Sequence, residues 1–114
     1  MILLPWPDSR LSPNARTHYR VKAKIAAEHK QIGYFAAKPD SFSRILPEGR
    51  IPIRVIFHAP DRRRRDIDNI FSSCKNFCDG IALAYGIDDS RFRPITLDFA
   101  AETFPKGKIE IFFE

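Results

Sequence analysis

Residues 51–70 read IPIRVIFHAPDRRRRDIDNI, and this stretch decides the fold of the chain. Apolar residues alternate with other residues over 51–57, which predicts a strand with one apolar face that ends at Pro60. An apolar stripe at helical spacing then predicts a helix over 67–85, and Gly86 supplies a natural left-handed stop. We therefore expect a strand to lead through four consecutive arginines into an amphipathic helix.

The same periodicities predict the elements on either side. Alternation predicts strands over 2–6, 95–101 and 109–113, and a helix is expected from the Ser12–Arg16 loop to about Ile32. Residues 33–50 contain two glycines and two prolines and are expected to form a long irregular connection. The order is then β-α-β-α-β-β in one domain of residues 1–114.

Connection rules turn this order into a fold class. The strand–helix–strand unit over 51–101 favours a parallel right-handed crossover, and the last two strands favour an antiparallel hairpin. We expect a small mixed α/β (α+β) domain in which the helices pack on one face of a mixed sheet.

Charge is unevenly distributed along the chain. Among 114 residues, 19 Lys and Arg stand against 14 Asp and Glu, a net charge of +5 with an isoelectric point near 9.5. Residues 1–58 hold ten basic and four acidic side chains, whereas residues 59–114 hold nine and ten. A basic chain with a local acid cluster favours a nucleic-acid partner held beside a cation site.

Cysteine usage and hydropathy indicate the compartment. Cys74 and Cys78 lie four residues apart, which is not the spacing of a CxxC redox or zinc site, so we expect reduced core residues. Reduced cysteines favour a cytoplasmic protein. The apolar start breaks at Pro5, and no apolar run approaches a membrane span, so we expect neither a signal peptide nor a membrane anchor.

The aspartates suit a hard divalent cation. Asp66 and Asp68 fall at the strand-to-helix junction, where both carboxylates can turn to one point and hold Mg²⁺ through oxygen ligands. Helix capping is the alternative for either of them. A third acid would be Asp88 or Asp89, for which a polar turn is the alternative. A straight helix of about 19 residues spans nearly 30 Å, so a third acid must fold back along it or come from a second protomer.

The four arginines suit phosphate. Two neighbouring aspartates do not satisfy four adjacent positive charges, and guanidinium groups grip phosphate with a fork, so Arg62 to Arg65 favour nucleic acid over a merely solvated loop. On a continuous helix Lys75 would share the polar face of Asp68 and lean toward the aspartates. An ordinary exposed lysine is the alternative for Lys75.

These motifs resemble one nuclease family. Residues 60–69 (PDRRRRDIDN), followed by an amphipathic helix and Gly86-Ile87-Asp88-Asp89-Ser90, are similar to the RusA family of Holliday junction resolvases. The opening Leu4-Pro5-Trp6-Pro7 and Ser12-Pro13-Asn14 resemble its phage and prophage members. The resemblance covers nearly the whole chain except residues 33–50.

The resemblance carries specific expectations. It implies a homodimer that uses Mg²⁺, or Mn²⁺ as a substitute, to cut four-way DNA junctions by symmetric paired nicks in a bacterial cytoplasm. It implies metal ligands at Asp66, Asp68 and Asp89. We expect the DNA contacts to be Arg62, Arg63, Arg64, Arg65, Asn69, Asn14 and Arg16.

The sequence departs from the family pattern at one catalytic position, which leaves two alternative functions open. The family's catalytic lysine falls on Ser72, four residues after Asp68, so Lys75 is taken as its substitute in catalysis. A degenerate branched-DNA-binding module without activity is the first alternative. A nuclease that acts on other branched nucleic acids is the second.

Overall fold

The computed structural model describes residues 1–114 and contains four strands and three helices, with two short 3₁₀ turns at Ser9–Leu11 and Asp89–Arg91. In chain order the elements are β1 (Ile2–Pro5), α1 (Tyr19–Ser41), β2 (Ile53–His58), α2 (Ile67–Ser73), α3 (Lys75–Tyr85), β3 (Ile95–Phe99) and β4 (Lys108–Phe113). The predicted order is confirmed, with the second helix divided in two.

The four strands form one mixed sheet in the order β1-β4-β2-β3. Strand β3 pairs parallel to β2, which confirms the predicted crossover, and β4 runs antiparallel to both β1 and β2. The predicted β3–β4 hairpin is wrong, because β2 lies between those strands. Ile109 and Ile111 of β4 are almost fully buried, whereas Ile95 of β3 is 39% exposed. The more apolar strand therefore takes the central position and β3 becomes an edge.

One face of the sheet carries the core. Alternate residues of β1, β2 and β4 point to this face and are buried. These residues are Ile2, Leu4, Ile53, Val55, Phe57, Ile109 and Ile111. They form one cluster with α3 residues such as Phe77 and Ile81, so the prediction of helices on one face is confirmed.

Helix α1 is nine residues longer than the sequence predicted. It runs to Ser41, so the expected irregular connection over 33–50 is wrong for residues 33–41. Gly33 does not end the helix. A Cβ atom at Gly33 would lie 2.1 Å from the carbonyl oxygen of Phe77 in α3. The glycine is therefore the point at which the two helix backbones meet.

The predicted helix over 67–85 is interrupted at Cys74. Cys74 has φ −97° and ψ −5°, and its N–H bonds to Phe71 O in a tightened turn. The Ser73 hydroxyl donates to Asn69 O and the Cys74 thiol to Ile70 O. Such back-bonding to the preceding turn commonly bends helices. The predicted angular relation between Lys75 and Asp68 assumed a continuous helix, which the chain does not form.

Two further sequence predictions are confirmed at the second and third helices. Gly86 ends α3 in the left-handed region, with φ 68° and ψ 33°, as predicted. Cys74 and Cys78 are free and buried, as predicted, and burial raises the pKa of both thiols. None of the helices combines the length and hydropathy that crossing a membrane requires.

Candidate nucleic-acid and metal site

Residues 61–65, here called the arginine segment, connect β2 to α2 without regular secondary structure. Three of its arginines are exposed, and the side chain of Arg63 is 78% accessible. Arg65 differs, with a side chain only 13% accessible. Its guanidinium lies 2.9 Å from the Asp61 carboxylate and 5.5 Å from the centre of the Trp6 ring. The segment thus presents Arg62, Arg63 and Arg64 to solvent and keeps Arg65 against the protein.

Asp61 is the internal counter-charge of the segment. Its carboxylate accepts the backbone N–H of Arg63 at 2.9 Å and the Arg65 guanidinium. The Arg63 N–H, followed by these guanidinium groups, lowers the pKa of the Asp61 carboxyl. One carboxylate cannot neutralise four guanidinium groups, so the segment keeps a net positive charge.

Two polar cavities flank the arginine segment. One, of about 320 Å³, lies between the segment and residues 99–103. The other, of about 350 Å³, lies between the segment, the chain following β1 and the inner side of α2. Its lining includes Trp6, Ser9, Ser12, Arg63, Asn69 and Ser73. Both volumes fall in the range of about 300–1,000 Å³ that is typical of ligand sites.

Asp66 and Asp68 stand at the first turn of α2, immediately after the arginine segment. Asp66 is the N-cap residue, and its side chain accepts the Asp68 N–H at 2.9 Å. Helix capping, the alternative role for Asp66, is therefore confirmed for one of its two carboxylate oxygens. Both residues are exposed, and their other oxygens are free to bind a cation.

The two aspartates after α3 have different surroundings. Asp88 caps the second 3₁₀ turn by accepting the Ser90 N–H at 2.8 Å, and this bond lowers its pKa. Asp89 instead faces Asp79 of α3. Burial, followed by a hydrogen bond with the Asp89 carboxyl, raises the pKa of Asp79. Both aspartates therefore lie beside Asp79 of α3, and Asp89 makes the larger contribution to its raised pKa.

Lys75 and Asp89 line one cavity of about 200 Å³ together with Phe71 of α2. The chain after α3 thus folds back along the helix, as a shared site with the first two aspartates would require. No three His, Cys, Asp or Glu side chains of residues 1–114 lie close enough together to hold a metal ion. The joint role of Asp66, Asp68 and Asp89 as ligands stays a prediction.

The other predicted DNA contacts lie near this region on two elements. Asn69 is half-buried in α2 and lines the cavity beside the arginine segment. Asn14 and Arg16 are exposed in the loop before α1. That loop is tied to α1 because the Asp8 N–H donates to His29 Nε2 at 3.0 Å. Ser12, at the start of the loop, lines the cavity beside the arginine segment, whereas Asn14 and Arg16 do not.

Sequence reasoning missed two residues of this region. Asp79 lies on the same helical face as Lys75, four residues on, and that spacing was the available signal. Trp6 supports Arg65 across 59 positions of sequence, and no local pattern could have indicated this contact.

Comparison with known proteins finds distant relatives. An uncharacterised protein from Xylella fastidiosa (strain Temecula1) is 40% identical over 93 residues, which cover 80% of this chain and 61% of that protein. Crossover junction endodeoxyribonuclease RusA from Escherichia coli (strain K12) is 34% identical over 77 residues, with 60% of this chain and 58% of the relative covered. The enzyme of that name from Enterobacteria phage 82 is 35% identical over the same shares.

The chain spans about six-tenths of the length of the curated relatives it matches. No protein-family model matches it. The chain is therefore distantly similar to bacterial and phage crossover junction endodeoxyribonucleases.

Proposed function

We propose that the chain is a RusA-like endonuclease that cuts four-way DNA junctions by paired nicks, with Mg²⁺ or Mn²⁺ as cofactor. The observation that carries this proposal is the direct passage from three exposed arginines into Asp66 and Asp68 at the start of α2. Phosphate-binding groups and oxygen ligands for a cation are thereby presented at one end of one helix. The similarity to named endodeoxyribonucleases supports the same conclusion.

The donor set fits a magnesium ion. Mg²⁺ is usually held by one or two carboxylates, with water and substrate phosphate as the remaining ligands. Asp66 and Asp68 supply two exposed carboxylates, and Asp89 would supply a third from the side of Lys75. When bound in a hydrolytic site, such an ion activates water and neutralises charge on the phosphodiester.

Side chains of the protein would bind the DNA and stabilise charge on the phosphate. Arg62, Arg63 and Arg64 hold DNA phosphates through contacts that are largely independent of sequence. Lys75 supplies positive charge toward the scissile phosphate or the leaving oxygen. The cavity that Lys75 shares with Asp89 supports this role.

A homodimer would match the two cleaved strands of a junction. Large apolar side chains remain exposed on and after α1, with Phe35 at 67%, Phe42 at 79% and Ile45 at 96%. Phe35 lines one open cavity with Leu83 of α3, which is 56% exposed, and an apolar patch shared by two helices favours a protein partner. Light scattering after gel filtration should give twice the 13.2 kDa of one chain, and a monomer at micromolar concentration would contradict the dimer.

We propose that the protein acts in the cytoplasm of a bacterial cell and that its gene lies on the chromosome or in a phage.

The Asp66→Asn variant tests the metal site. It should lose junction cleavage and keep or strengthen junction binding, because one negative charge near the DNA is removed. Glu114→Gln is the matched control, since Glu114 follows β4 at the end of the sheet opposite the arginine segment. A variant that still cuts at the wild-type rate would show that Asp66 holds no essential ion.

One observation favours a second candidate function. Asp66, Asp68 and Asp89 do not form a three-ligand group within one chain, and Ser72 stands where the family has its lysine. A branched-DNA-binding protein without nuclease activity would have these features. Tight junction binding with no nick at any Mg²⁺ or Mn²⁺ concentration would establish it, whereas cleavage of flaps or forks in preference to junctions would indicate a different target.

A further inference from the structure

The arginine segment has almost no backbone support of its own. No backbone-to-backbone hydrogen bond involves residues 61–65. Two side chains replace that support. The Asp61 carboxylate accepts the Arg63 N–H, and the Arg65 guanidinium donates to the carbonyl oxygens of Asp61 at 3.0 Å and Arg63 at 3.1 Å. The path of the segment therefore depends on where Arg65 is held.

Trp6 holds Arg65 in place. The guanidinium lies 5.5 Å from the ring centre, in the range of a cation–π contact, and a partly desolvated contact of this kind contributes about 1–2 kcal/mol. The ring itself is fixed, because it meets Phe57 edge-on at 6.3 Å between centroids. Gly107 also packs against it, since a Cβ atom at that position would lie 2.9 Å from two ring carbons. The indole is therefore half-buried and held by contacts on several sides.

The Arg65 guanidinium is already bound within the protein. It binds two carbonyl oxygens and one carboxylate, and its side chain is 13% accessible, against 78% for Arg63. A guanidinium bound in this way has few free donors for a phosphate. Arg62, Arg63 and Arg64 are exposed to solvent. All four arginines line the cavity beside residues 99–103, whereas only Arg63 and Arg65 line the cavity beside α2.

We propose that Arg65 is a positioning residue that stays bound to Trp6, Asp61 and Arg63 while its three neighbours bind DNA phosphates. Arg65 sets the path of the segment, so that the exposed guanidinium groups face the DNA backbone without an ordering cost at each binding event. This inference rests on the proposed function for the identity of the ligand, whereas the contact between Arg65 and Trp6 is independent of it.

Three substitutions separate positioning from phosphate binding. Arg65→Gln removes the charge, Arg65→Lys keeps the charge without the fork, and Arg64→Gln removes the charge of an exposed neighbour. Trp6 is the single tryptophan of the chain, so its fluorescence reports the Arg65 contact directly. Affinity for a four-way junction is measured for each variant over a series of salt concentrations.

Positioning predicts that both Arg65 variants change Trp6 emission in the free protein and bind DNA about tenfold more weakly, which corresponds to about 1.4 kcal/mol. Their salt dependence should match that of the wild type. Arg64→Gln should leave Trp6 emission unchanged and reduce the slope of log affinity against log salt by about 0.9, the amount for one phosphate contact. The matched control is Arg54→Gln, which removes an arginine that lies over Phe112 beside Glu114 and should alter neither property.

The contrary results are equally specific. If Arg65→Lys binds like the wild type and Arg65→Gln loses about 0.9 of slope, Arg65 contacts phosphate and the proposal is overturned. Unchanged Trp6 emission in Arg65→Gln would also overturn it. If no variant and not even the wild type binds DNA while the emission change persists, the proposed function fails and the contact between Arg65 and Trp6 stands.

Discussion

Helices α1 and α3 cross closely at two glycines, and alanine at these positions gives a quantitative prediction. A Cβ atom at Gly33 would lie 2.1 Å from Phe77 O, and one at Gly80 would lie 1.9 Å from Lys30 O. Ordinary contact begins at 3.4 Å. The helices would have to separate by 3.4 − 2.1 = 1.3 Å for Gly33→Ala and by 3.4 − 1.9 = 1.5 Å for Gly80→Ala.

This separation disturbs well-packed neighbours. Phe77 is fully buried, and the His29 ring stacks on it at 4.3 Å. Overpacking costs about 1–3 kcal/mol, and a clash with backbone, which has no alternative rotamer, belongs at the upper end. The gain in helix propensity from glycine to alanine is about 1 kcal/mol. Each single variant should therefore lose about 2 kcal/mol of unfolding free energy.

The double variant sharpens the prediction. Once one alanine has separated the helices, the second meets a gap that is nearly wide enough, because the required separations are 1.3 and 1.5 Å. Its loss should be about 1 kcal/mol, because the clash of about 3 kcal/mol is shared whereas the propensity gain of about 1 kcal/mol occurs twice, instead of the sum of about 4. Urea denaturation followed by circular dichroism measures all three. Single variants that are stabilised by about 1 kcal/mol, as at an open helical site, would refute the close crossing, and so would an additive double variant.

Three further predictions concern other parts of the molecule. Burial lowers the pKa of His29 despite nearby Asp8 and Glu28, so the unfolded chain binds more protons below the ordinary value of 6.5. Stability should fall as the pH decreases through that value, and a His29→Phe variant with the same pH profile would contradict this. Gly107→Ala, at φ 74° and against the tryptophan ring, should lose about 2 kcal/mol in urea denaturation, and a loss under about 0.5 kcal/mol would exclude the contact. Cys74 and Cys78 are buried with raised pKa values, so thiol reagents should label them only as fast as the chain unfolds, and rapid labelling of the native protein would contradict their burial.

Local sequence patterns predicted the elements well where neighbouring residues in the sequence determine the structure. The alternation over 51–57 gave β2, and Gly86 gave the end of α3. Gly33 was misread as a break because its reason lies in another helix, where the backbone of Phe77 fills the space of the missing side chain. A single sequence carries no signal for such a contact.

Strand order and the roles of the arginines depend on distant partners in the same way. β4 pairs with β1 and β2 because its apolar residues take the buried centre of the sheet. The prediction paired β4 with β3 because these two strands are adjacent in the sequence. The four arginines look equivalent in sequence, and only the position of Trp6 distinguishes Arg65 from the other three. The predicted ligand set of Asp66, Asp68 and Asp89 is not brought together within one chain. Asp89 lies near Lys75 and Asp79 instead.

The most direct test of the proposed function is incubation of the purified protein with a labelled synthetic four-way junction, with Mg²⁺ or with EDTA, beside a linear duplex of equal length. The proposed function predicts paired nicks in the junction alone and only when the metal is present. Tight binding to the junction without a nick at any metal concentration would contradict the nuclease activity.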